Sequence, residues 1–336
     1  MRHSRTSIHY NCIVVFLRLI FVLLLGLGIL LAGLAYLMAR FLLRPPRMSD
    51  GKAAWLLKRL TPLDLGLAFT PVNFTVRDEL TKESLQIAAW WMPQNSSSKT
   101  VILLHGYADA KVGAIAWAPI FAKLGYNILA LDLRAHGESG GEISSGGYWE
   151  RHDLNQIIND VRARYPQQTQ HLVLFGASLG AAVAVAAERN DVDALILESP
   201  FADFRHAAAA NFHLLGIEAA FLHRAAVALA EKMAHADFAA IRPLDLIAKS
   251  QAPILIIQGA DDALTSVDDQ KELERAIAQR GDGSTYWRLE NVPHLMPLAS
   301  DPAKYGERIA GFLSQLQIDN RKSKNRLTSP ASHPTQ

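Results

Sequence analysis

Residues 171–188 read HLVLFGASLGAAVAVAAE: an apolar run, the pentapeptide GASLG (176–180) and an alanine-rich run. This order predicts a strand, a sharp turn and a helix. A Gly-x-Ser-x-Gly sequence in that setting is typical of a nucleophile elbow, whose serine is held in a strained backbone conformation at the edge of a sheet. Glycine is needed on either side because strand and helix nearly touch there. The pentapeptide alone is common, so the flanking strand and helix are what make Ser178 a candidate nucleophile.

The same rhythm of strand and helix runs through residues 72–318. It opens with a predicted β-hairpin and continues as short apolar runs that alternate with helical segments. Continuous apolar strands between helices are typical of a parallel sheet covered on both faces. The sequence therefore predicts an α/β domain with a mostly parallel eight-stranded sheet. The predicted strands are 72–76, 85–92, 101–104, 127–131, 172–175, 194–197, 254–257 and 285–289, and the predicted helices between or after them are 112–124, 149–165, 179–190, 267–279 and 302–317.

Residues 201–253 interrupt this rhythm after the sixth predicted strand. They are longer than an ordinary connection, and alanine clusters within them predict two helices. One interpretation is a small lid above the elbow, with part of its apolar set lining an acyl pocket. The other is a helix pair packed on the edge of the sheet, and length alone does not choose between them. The apolar set comprises Phe201, Phe204, Phe212, Leu214, Leu215, Phe221 and Leu222.

The N-terminal region carries most of the apolar excess of the chain. No charged residue occurs from Leu19 to Ala39, and at about 1.5 Å per residue this run spans a hydrocarbon core of roughly 30 Å. Arginine-containing sequence follows it, where a signal peptide would have a small-residue cleavage site. The sequence therefore predicts an uncleaved, single-pass transmembrane anchor at 19–43, after an N-terminal flank at 1–18 and before a linker at 44–71.

Basic residues on both sides of the anchor leave its orientation open. Three arginines lie before the span, and Arg40, Arg44, Arg47 and Lys52 lie after it. The positive-inside rule slightly favours a cytoplasmic C-terminal domain without fixing the side. The linker contains a short amphipathic piece around Trp55, which would lie either on the bilayer surface or on the edge of the globular domain.

The composition fits one sizeable globular domain plus an apolar segment. The 336 residues carry a net charge of +2, and half are hydrophobic, so nothing favours a nucleic-acid partner. Cys12 is the single cysteine, which excludes an internal disulfide and a cysteine cluster for a metal. No phosphate-binding glycine loop or metal-ligand pattern is visible, and we expect no cofactor. The polar, basic tail at 319–336 is predicted to be disordered, and the sequence does not determine the oligomeric state.

A serine hydroxyl becomes a useful nucleophile only when a base takes its proton and an acid orients that base. His294 follows the last predicted strand, in a loop that returns to the carboxyl edge of the sheet near Ser178. Asp261 and Asp262 follow the strand 254–257, and only one of them can point at the imidazole. The chain order serine, aspartate, histidine differs from the orders in chymotrypsin and subtilisin.

An acyl-transfer site also needs hydrogen-bond donors for the developing oxyanion. One candidate is the backbone N–H of Leu179, directly after the nucleophile. The other is the backbone N–H of Tyr107, in the loop that follows the strand 101–104. His105 lies in the same loop, where a structural role is expected.

Together these motifs resemble the α/β-hydrolase superfamily, and above all its membrane-anchored BEM46-like or ABHD13-like serine hydrolases. The resemblance covers residues 72–316. In that family the aspartate third after the glycine, here Asp262, is the acid of the catalytic triad. Glu198 matches a position that we take as structural, although an acid there belongs to the triad in some relatives. Glycine is common in the family where Ala135 and Pro293 stand. The matching sequences are HG (105–106), DLRAHGES (132–139), GASLG (176–180), ESPF (198–201), GADD (259–262) and His294.

The resemblance implies hydrolysis of an ester, thioester or amide through an acyl-enzyme, with no cofactor. The implied substrates are small acyl esters, thioesters or lipids, and the implied triad is Ser178, His294 and Asp262. A serine nucleophile argues against haloalkane dehalogenases and epoxide hydrolases, which need a carboxylate there. Two alternatives remain: a serine peptidase of the same fold, and a catalytically silent, membrane-anchored interaction module.

Overall fold

A computed structural model describes the backbone of residues 3–328 and the side chains of residues 14–49 and 51–316. The strands in this part of the chain are β1 (Thr70–Arg77), β2 (Ser84–Met92), β3 (Lys99–Leu104), β4 (Asn127–Leu131), β5 (His171–Ala177), β6 (Ala194–Glu198), β7 (Ile254–Gly259) and β8 (Thr285–Leu289). The helices are α1 (His3–Leu43), α2 (Asp50–Leu57), α3 (Lys111–Ala114), α4 (Ala118–Lys123), α5 (Glu150–Arg164), α6 (Leu179–Ala186), α7 (Phe204–Leu214), α8 (Ala220–Ala234), α9 (Pro243–Lys249), α10 (Val267–Ala278), α11 (Pro297–Ser300) and α12 (Pro302–Thr328), and single 3₁₀ turns occur at Pro62–Leu65 and Phe238–Ala240.

The eight strands form one sheet in the order β1-β2-β4-β3-β5-β6-β7-β8. Strands β3 to β8 are parallel to one another. The hairpin of β1 and β2 is antiparallel, and β2 also pairs antiparallel with β4. The predicted mostly parallel sheet of eight strands is therefore confirmed, and the hairpin at one edge makes it a mixed sheet.

Both faces of the sheet are covered, because successive strand residues point to opposite sides. Ile102 and Leu104 of β3 belong to one buried cluster with α5, α6 and α10. Val101 and Leu103 of the same strand belong to a second cluster with α4 and α12. All four side chains are fully buried, which explains why the strands read as continuous apolar runs. The carboxyl edge of the sheet stays free to carry loops.

Prolines lie at two of the differences between the predicted and the observed helices. The insert contains three helices, α7, α8 and α9, where the sequence predicted two; α9 begins at Pro243 and is too short to show a helical repeat. The predicted helix 112–124 is divided into α3 and α4 because Pro119 lies in the first turn of α4, where its missing N–H is tolerated.

The environment of α1 changes along its length. Residues 15–30 are exposed on all sides, and the helix from Val14 to Leu43 is long and apolar enough to cross a membrane. Toward its C-terminal end one face is buried, and there α1 packs along α8 of the insert. The buried residues recur every three or four positions, as one face of a helix requires. They are Ala35, Met38, Ala39, Leu42 and Leu43.

The segment predicted as a linker is attached to the domain. Arg47 donates hydrogen bonds to carbonyls in the loop 136–141, with distances of 2.6 Å to Ser139 and 2.7 Å to Gly137. Arg59 donates to the carbonyls of Val112 and Gly113, each at 3.0 Å. The amphipathic piece is α2, and its Ala53 is buried beside Ala110 and Val112 while Trp55 stays exposed.

At the other end of the chain, α12 continues to Thr328, past residue 318 where the sequence predicted a disordered tail. Residues 318–328 include two lysines and two arginines and contain neither proline nor glycine, so nothing in the sequence stops the helix there. The rest of that predicted tail, 329–336, lies outside the described residues.

Candidate active site

Ser178 lies in the turn between β5 and α6. Its backbone has φ 52° and ψ −111°, a strained conformation for a residue with a side chain. The flanking glycines have no room for a Cβ atom. A Cβ at Gly176 would lie 2.2 Å from the carbonyl oxygen of Gly180, and a Cβ at Gly180 would lie 2.2 Å from that of Leu104. The turn thus has the geometry of a nucleophile elbow.

The structure brings Ser178, His294 and Asp262 into one chain of hydrogen bonds. The distance from His294 Nε2 to Ser178 Oγ is 3.0 Å, and that from His294 Nδ1 to Asp262 Oδ2 is 2.7 Å. The Asp262 side chain is fully buried, whereas Asp261 is exposed. Asp261 only donates its backbone N–H to the carbonyl of Val292. Asp262 is therefore the aspartate of the pair that lies beside the imidazole.

Two further groups fix the Asp262 carboxylate. Gln258 Nε2 donates to Oδ2 at 2.8 Å, and the Leu264 N–H donates to Oδ1 at 2.9 Å. The Gln258 side chain is completely buried at the end of β7. Sequence reasoning missed Gln258, although one polar residue in the apolar run ILIIQG (254–259) is a visible signal. Its contacts leave the carboxylate with a defined orientation toward His294.

Glu198 does not lie beside His294. Its buried carboxylate accepts hydrogen bonds from the Trp117 indole at 2.8 Å and from the Tyr305 hydroxyl. Burial raises the pKa of Glu198 to about 7. The backbone carbonyl of Glu198 accepts the Ser178 N–H at 2.9 Å, so this residue supports the elbow through its main chain. Its position agrees with a structural role.

The loop after β3 lies against the nucleophile. A Cβ atom at Gly106 would be 3.5 Å from Ser178 Cβ. In the described part of the chain the Tyr107 N–H has no hydrogen-bond acceptor, and the Leu179 N–H is in the first turn of α6, where helical N–H groups are free. Both residues line the cavity that contains Ser178. The geometry thus offers two free donors beside the serine hydroxyl.

His105 has a structural position in this loop. Its Nε2 accepts the Leu133 N–H at 3.0 Å, which leaves Nδ1 to donate to the Gly106 carbonyl at 2.7 Å. Complete burial lowers the pKa of His105, so the ring is neutral. It connects the loop after β3 to the loop after β4 and does not contact Ser178.

The run DLRAHGES (132–139), which matches the family pattern, holds the neighbouring loops in place. Asp132 accepts hydrogen bonds from the backbone N–H and the ammonium group of Lys111, both at 2.6 Å. Arg134 makes two hydrogen bonds with Asp153, at 2.6 and 2.7 Å. Ala135 has φ 61°, the left-handed conformation that explains why glycine suits this position.

A cavity of about 170 Å³ lies beside Ser178 and is lined mainly by apolar side chains. Phe201 and Phe204 of the insert line it, as one of the two interpretations of the insert predicted. Phe212 instead lies in the core, and Leu214, Leu215 and Phe221 are exposed. The walls outside the elbow and the histidine loop include Phe204, Ala207, Ala208 and Asn211 from α7, and Phe41 and Leu42 from α1.

Comparison with known proteins agrees with this geometry. The sequence profile of the family described as "Serine aminopeptidase, S33" matches residues 95–245. The esterase Pf2001 of Pyrococcus furiosus superposes with a TM-score of 0.66 at 25% identity, covering 82% of this chain and 98% of that one. The chain is an α/β hydrolase. The superfamily and the hydrolase class predicted from the sequence are thereby confirmed, whereas the BEM46-like branch stays a prediction.

Curated relatives of this α/β hydrolase include a bacterial protein and a lipase. The protein YqkD of Bacillus subtilis is 27% identical over 246 residues, which are 68% of this chain and 76% of YqkD. The lysophosphatidylserine lipase ABHD12 of Macaca fascicularis is 32% identical over 128 residues, 35% of this chain and 31% of the lipase. The second match is confined to about a third of each protein.

The hydrolase contains pocket residues that sequence reasoning did not find. Phe41 and Leu42 lie in the predicted anchor, and Asn211 lies in the insert, where no role was predicted for it. No local pattern marks them, because they reach Ser178 only through the packing of α1 and α7 on the domain.

Proposed function

We propose that this α/β hydrolase is a membrane-anchored serine hydrolase that cleaves acyl ester or thioester bonds through an acyl-enzyme. Ser178 is the nucleophile, His294 the general base and Asp262 the acid that orients it. The observation that carries the proposal is the unbroken series of hydrogen bonds, 3.0 Å from Ser178 to His294 and 2.7 Å from His294 to Asp262. These distances are those expected of a nucleophile, its base and an orienting group.

The geometry supports an ordinary acyl-transfer sequence. The Ser178 hydroxyl gives its proton to His294 Nε2 as its oxygen bonds to the acyl carbon. The carbonyl oxygen then becomes an oxyanion, which the backbone N–H groups of Leu179 and Tyr107 stabilise. His294 returns the proton to the leaving alcohol or thiol. A water molecule, activated by the same imidazole, releases the acid and restores Ser178.

The cavity favours an acyl group of modest size. Its volume of about 170 Å³ is below the roughly 300–1,000 Å³ of pockets for drug-sized ligands. Apolar walls suit a hydrocarbon chain. The names of two similar proteins, an esterase and a lysophosphatidylserine lipase, support an ester substrate.

A peptidase is the second candidate, because the matching profile is described as a serine aminopeptidase. An aminopeptidase must bind the ammonium group of its substrate, for which a carboxylate close to the nucleophile is suited. Apart from Ser178, His294 and Tyr107, Asn211 is the one polar side chain among the described residues that line the cavity. The cavity therefore favours an uncharged acyl group over an aminoacyl group.

Membrane anchoring rests on α1. The part from Val14 to Leu43 meets the length and composition of a membrane span, and residues 15–30 make no buried contact with the domain. Sixteen residues of helix cover about 24 Å, and the exposed apolar face continues to Leu37. We therefore place the hydrolase on a single-pass anchor, with the catalytic domain at the membrane surface.

The test is a substrate panel on the full-length protein in detergent, with p-nitrophenyl esters set against aminoacyl-arylamides and Ser178→Ala as the blank. We expect Ser178-dependent turnover of esters and none of the arylamides. Ser178-dependent cleavage of the arylamides alone would establish the peptidase. No Ser178-dependent turnover in either series, together with no labelling by a fluorophosphonate, would favour the silent interaction module.

A further inference from the structure

The last turn of α1 forms part of the wall of the cavity beside Ser178. Phe41 and Leu42 line the same space as Ser178 and His294. Leu42 is buried, whereas Phe41 is 42% exposed, so the phenylalanine ring lies where the cavity meets the surface. A helix whose outer part is long and apolar enough to cross a bilayer therefore ends within the candidate acyl site.

Hydrogen bonds hold this last turn against the domain. The Leu43 carbonyl accepts the Ser144 N–H at 2.8 Å. The Tyr107 hydroxyl donates to the Phe41 carbonyl, and the ring centroids of these two residues are 6.5 Å apart. Tyr107 is also the residue whose backbone N–H we assign to the oxyanion. The end of α1 thus lines the cavity, and it is also hydrogen-bonded to Tyr107 in the loop after β3.

Exposed apolar side chains lie one helical turn from the cavity-lining residues of α1 and of α7. Leu37 is 63% exposed and lies one helical turn before Phe41. On the insert, α7 lines the cavity as far as Asn211, and the exposed Leu214 and Leu215 follow one turn later. A hydrocarbon chain that approaches along α1 therefore stays in contact with apolar surface until it reaches the cavity.

We propose that the last turn of α1 is a specificity element, in which Phe41 and Leu42 set the length of the acyl chain that the cavity accepts. The inference rests on the proposed function, because it concerns the acyl group that Ser178 receives. The chemical class of substrate is an ester with a single acyl chain, since about 170 Å³ is little room for a branched or two-chain group. On this proposal the anchor helix selects the substrate as well as holding the enzyme at the membrane.

The test is the acyl-length profile of the full-length protein in detergent micelles, measured as kcat/KM on p-nitrophenyl esters from acetate to palmitate. Phe41→Ala enlarges the cavity and should move the optimum to longer chains; Phe41→Trp should move it to shorter ones. We expect the ratio of long-chain to short-chain kcat/KM to change about tenfold, the effect of roughly one methylene group in an apolar pocket. Leu30→Ala is the matched control, because Leu30 is 67% exposed on the same helix and outside the cavity.

Fluorophosphonate labelling of each variant distinguishes a failure of this inference from a failure of the proposed function. If the Phe41 variants label and turn over esters with the same length profile as the unmutated protein and Leu30→Ala, the inference is wrong and the proposed function stands. If the unmutated protein neither labels nor hydrolyses any ester, the proposed function fails and the inference fails with it. Should the Phe41 variants not fold, Leu42→Met changes the shape of the same wall at similar volume, and an unchanged profile there would overturn the inference.

Discussion

Asp262 and Asp261 are adjacent in sequence but differ in surroundings. Asp262 is buried against His294, and Asp261 is exposed. Replacing an orienting aspartate by asparagine leaves the imidazole in the wrong tautomer, so Asp262→Asn should lower kcat on an ester by about 10⁴. The matched change Asp261→Asn should alter kcat by no more than a few-fold. A similar loss of kcat in the two variants, or a larger loss in Asp261→Asn, would contradict the assignment of Asp262 as the acid that orients His294.

Gln258 donates a hydrogen bond to the Asp262 carboxylate, so in the proposed mechanism it is a positioning residue. Gln258→Met keeps the size of the side chain and removes the hydrogen bond of 2.8 Å to the carboxylate. Since a hydrogen bond to a charged group is worth about 1.5–3 kcal/mol, we expect kcat to fall on the order of tenfold with KM nearly unchanged.

Gln270 provides a matched control for this change. It is also a buried glutamine, but it donates to the carbonyls of Ala260 and Thr265 and does not touch Asp262. Gln270→Met should lower the melting temperature and leave kcat within a few-fold. A loss of kcat as large as that of Gln258→Met would mean that both glutamines only support the fold.

Glu198 should make stability depend on pH. Burial raises its pKa from 4.5 to about 7, so between these values the native protein keeps a proton that the unfolded chain has released. The free energy of unfolding therefore falls as pH rises through this window. Glu198→Gln cannot titrate, and its melting temperature should fall less steeply over the same range. Glu272→Gln, at an exposed site, should show the same change of melting temperature with pH as the unmutated protein. If Glu198→Gln also showed that same change, the raised pKa of Glu198 would be contradicted.

At this scale the sequence identified the residues whose place follows from the ends of strands. Ser178 and His294 could be found because parallel strands bring their following loops to one edge of the sheet. The choice between two adjacent aspartates needed the family resemblance, since a loop can present either one. Gln258 and Glu198 act through buried contacts with distant residues, such as Tyr305, which no local pattern reveals.

Among the elements, α1 has two parts with different surroundings. Residues 15–30 are exposed, whereas Met38, Leu42 and Leu43 are buried in the domain. Each buried side chain of this size contributes about 1.5–3 kcal/mol. Removing residues 1–44 should therefore lower the melting temperature by about 10 °C or more relative to removing residues 1–30, at 2–4 °C per kcal/mol.

The same two variants separate anchoring from packing. In carbonate extraction the full-length protein should stay in the membrane pellet, and the protein lacking residues 1–30 should be released. Equal melting temperatures for the two truncated proteins would contradict the packing of α1 on the domain. Release of the full-length protein would contradict the membrane span.

The elements that the sequence described incompletely are those defined by tertiary contacts. Leucine, alanine and methionine are common both in membrane spans and in protein cores, so composition did not show which part of α1 packs on the domain. Ala35 and Ala39, one turn apart, mark the face that meets α8. In the insert, α9 is a short helix that begins at a proline. The alanine clusters of the sequence predicted only the two longer helices, α7 and α8.

For the whole molecule, the alternation of strands and helices was sufficient to predict the fold. The sheet has the predicted number of strands, and its parallel part follows from apolar runs that are buried on both faces. The cavity beside Ser178 was not predictable in the same way. It is assembled from the elbow, the insert and α1, which are far apart in sequence and meet only in the folded chain.

We propose that the membrane-bound protein forms a covalent acyl-enzyme on Ser178. The full-length protein in membranes can be labelled with a fluorophosphonate probe, and the modified residue can then be mapped by peptide mass spectrometry. We predict one adduct on Ser178 in the unmutated protein and none in Ser178→Ala, at equal amounts of folded protein. Undiminished labelling of Ser178→Ala, or an adduct mapped to another residue, would contradict the account.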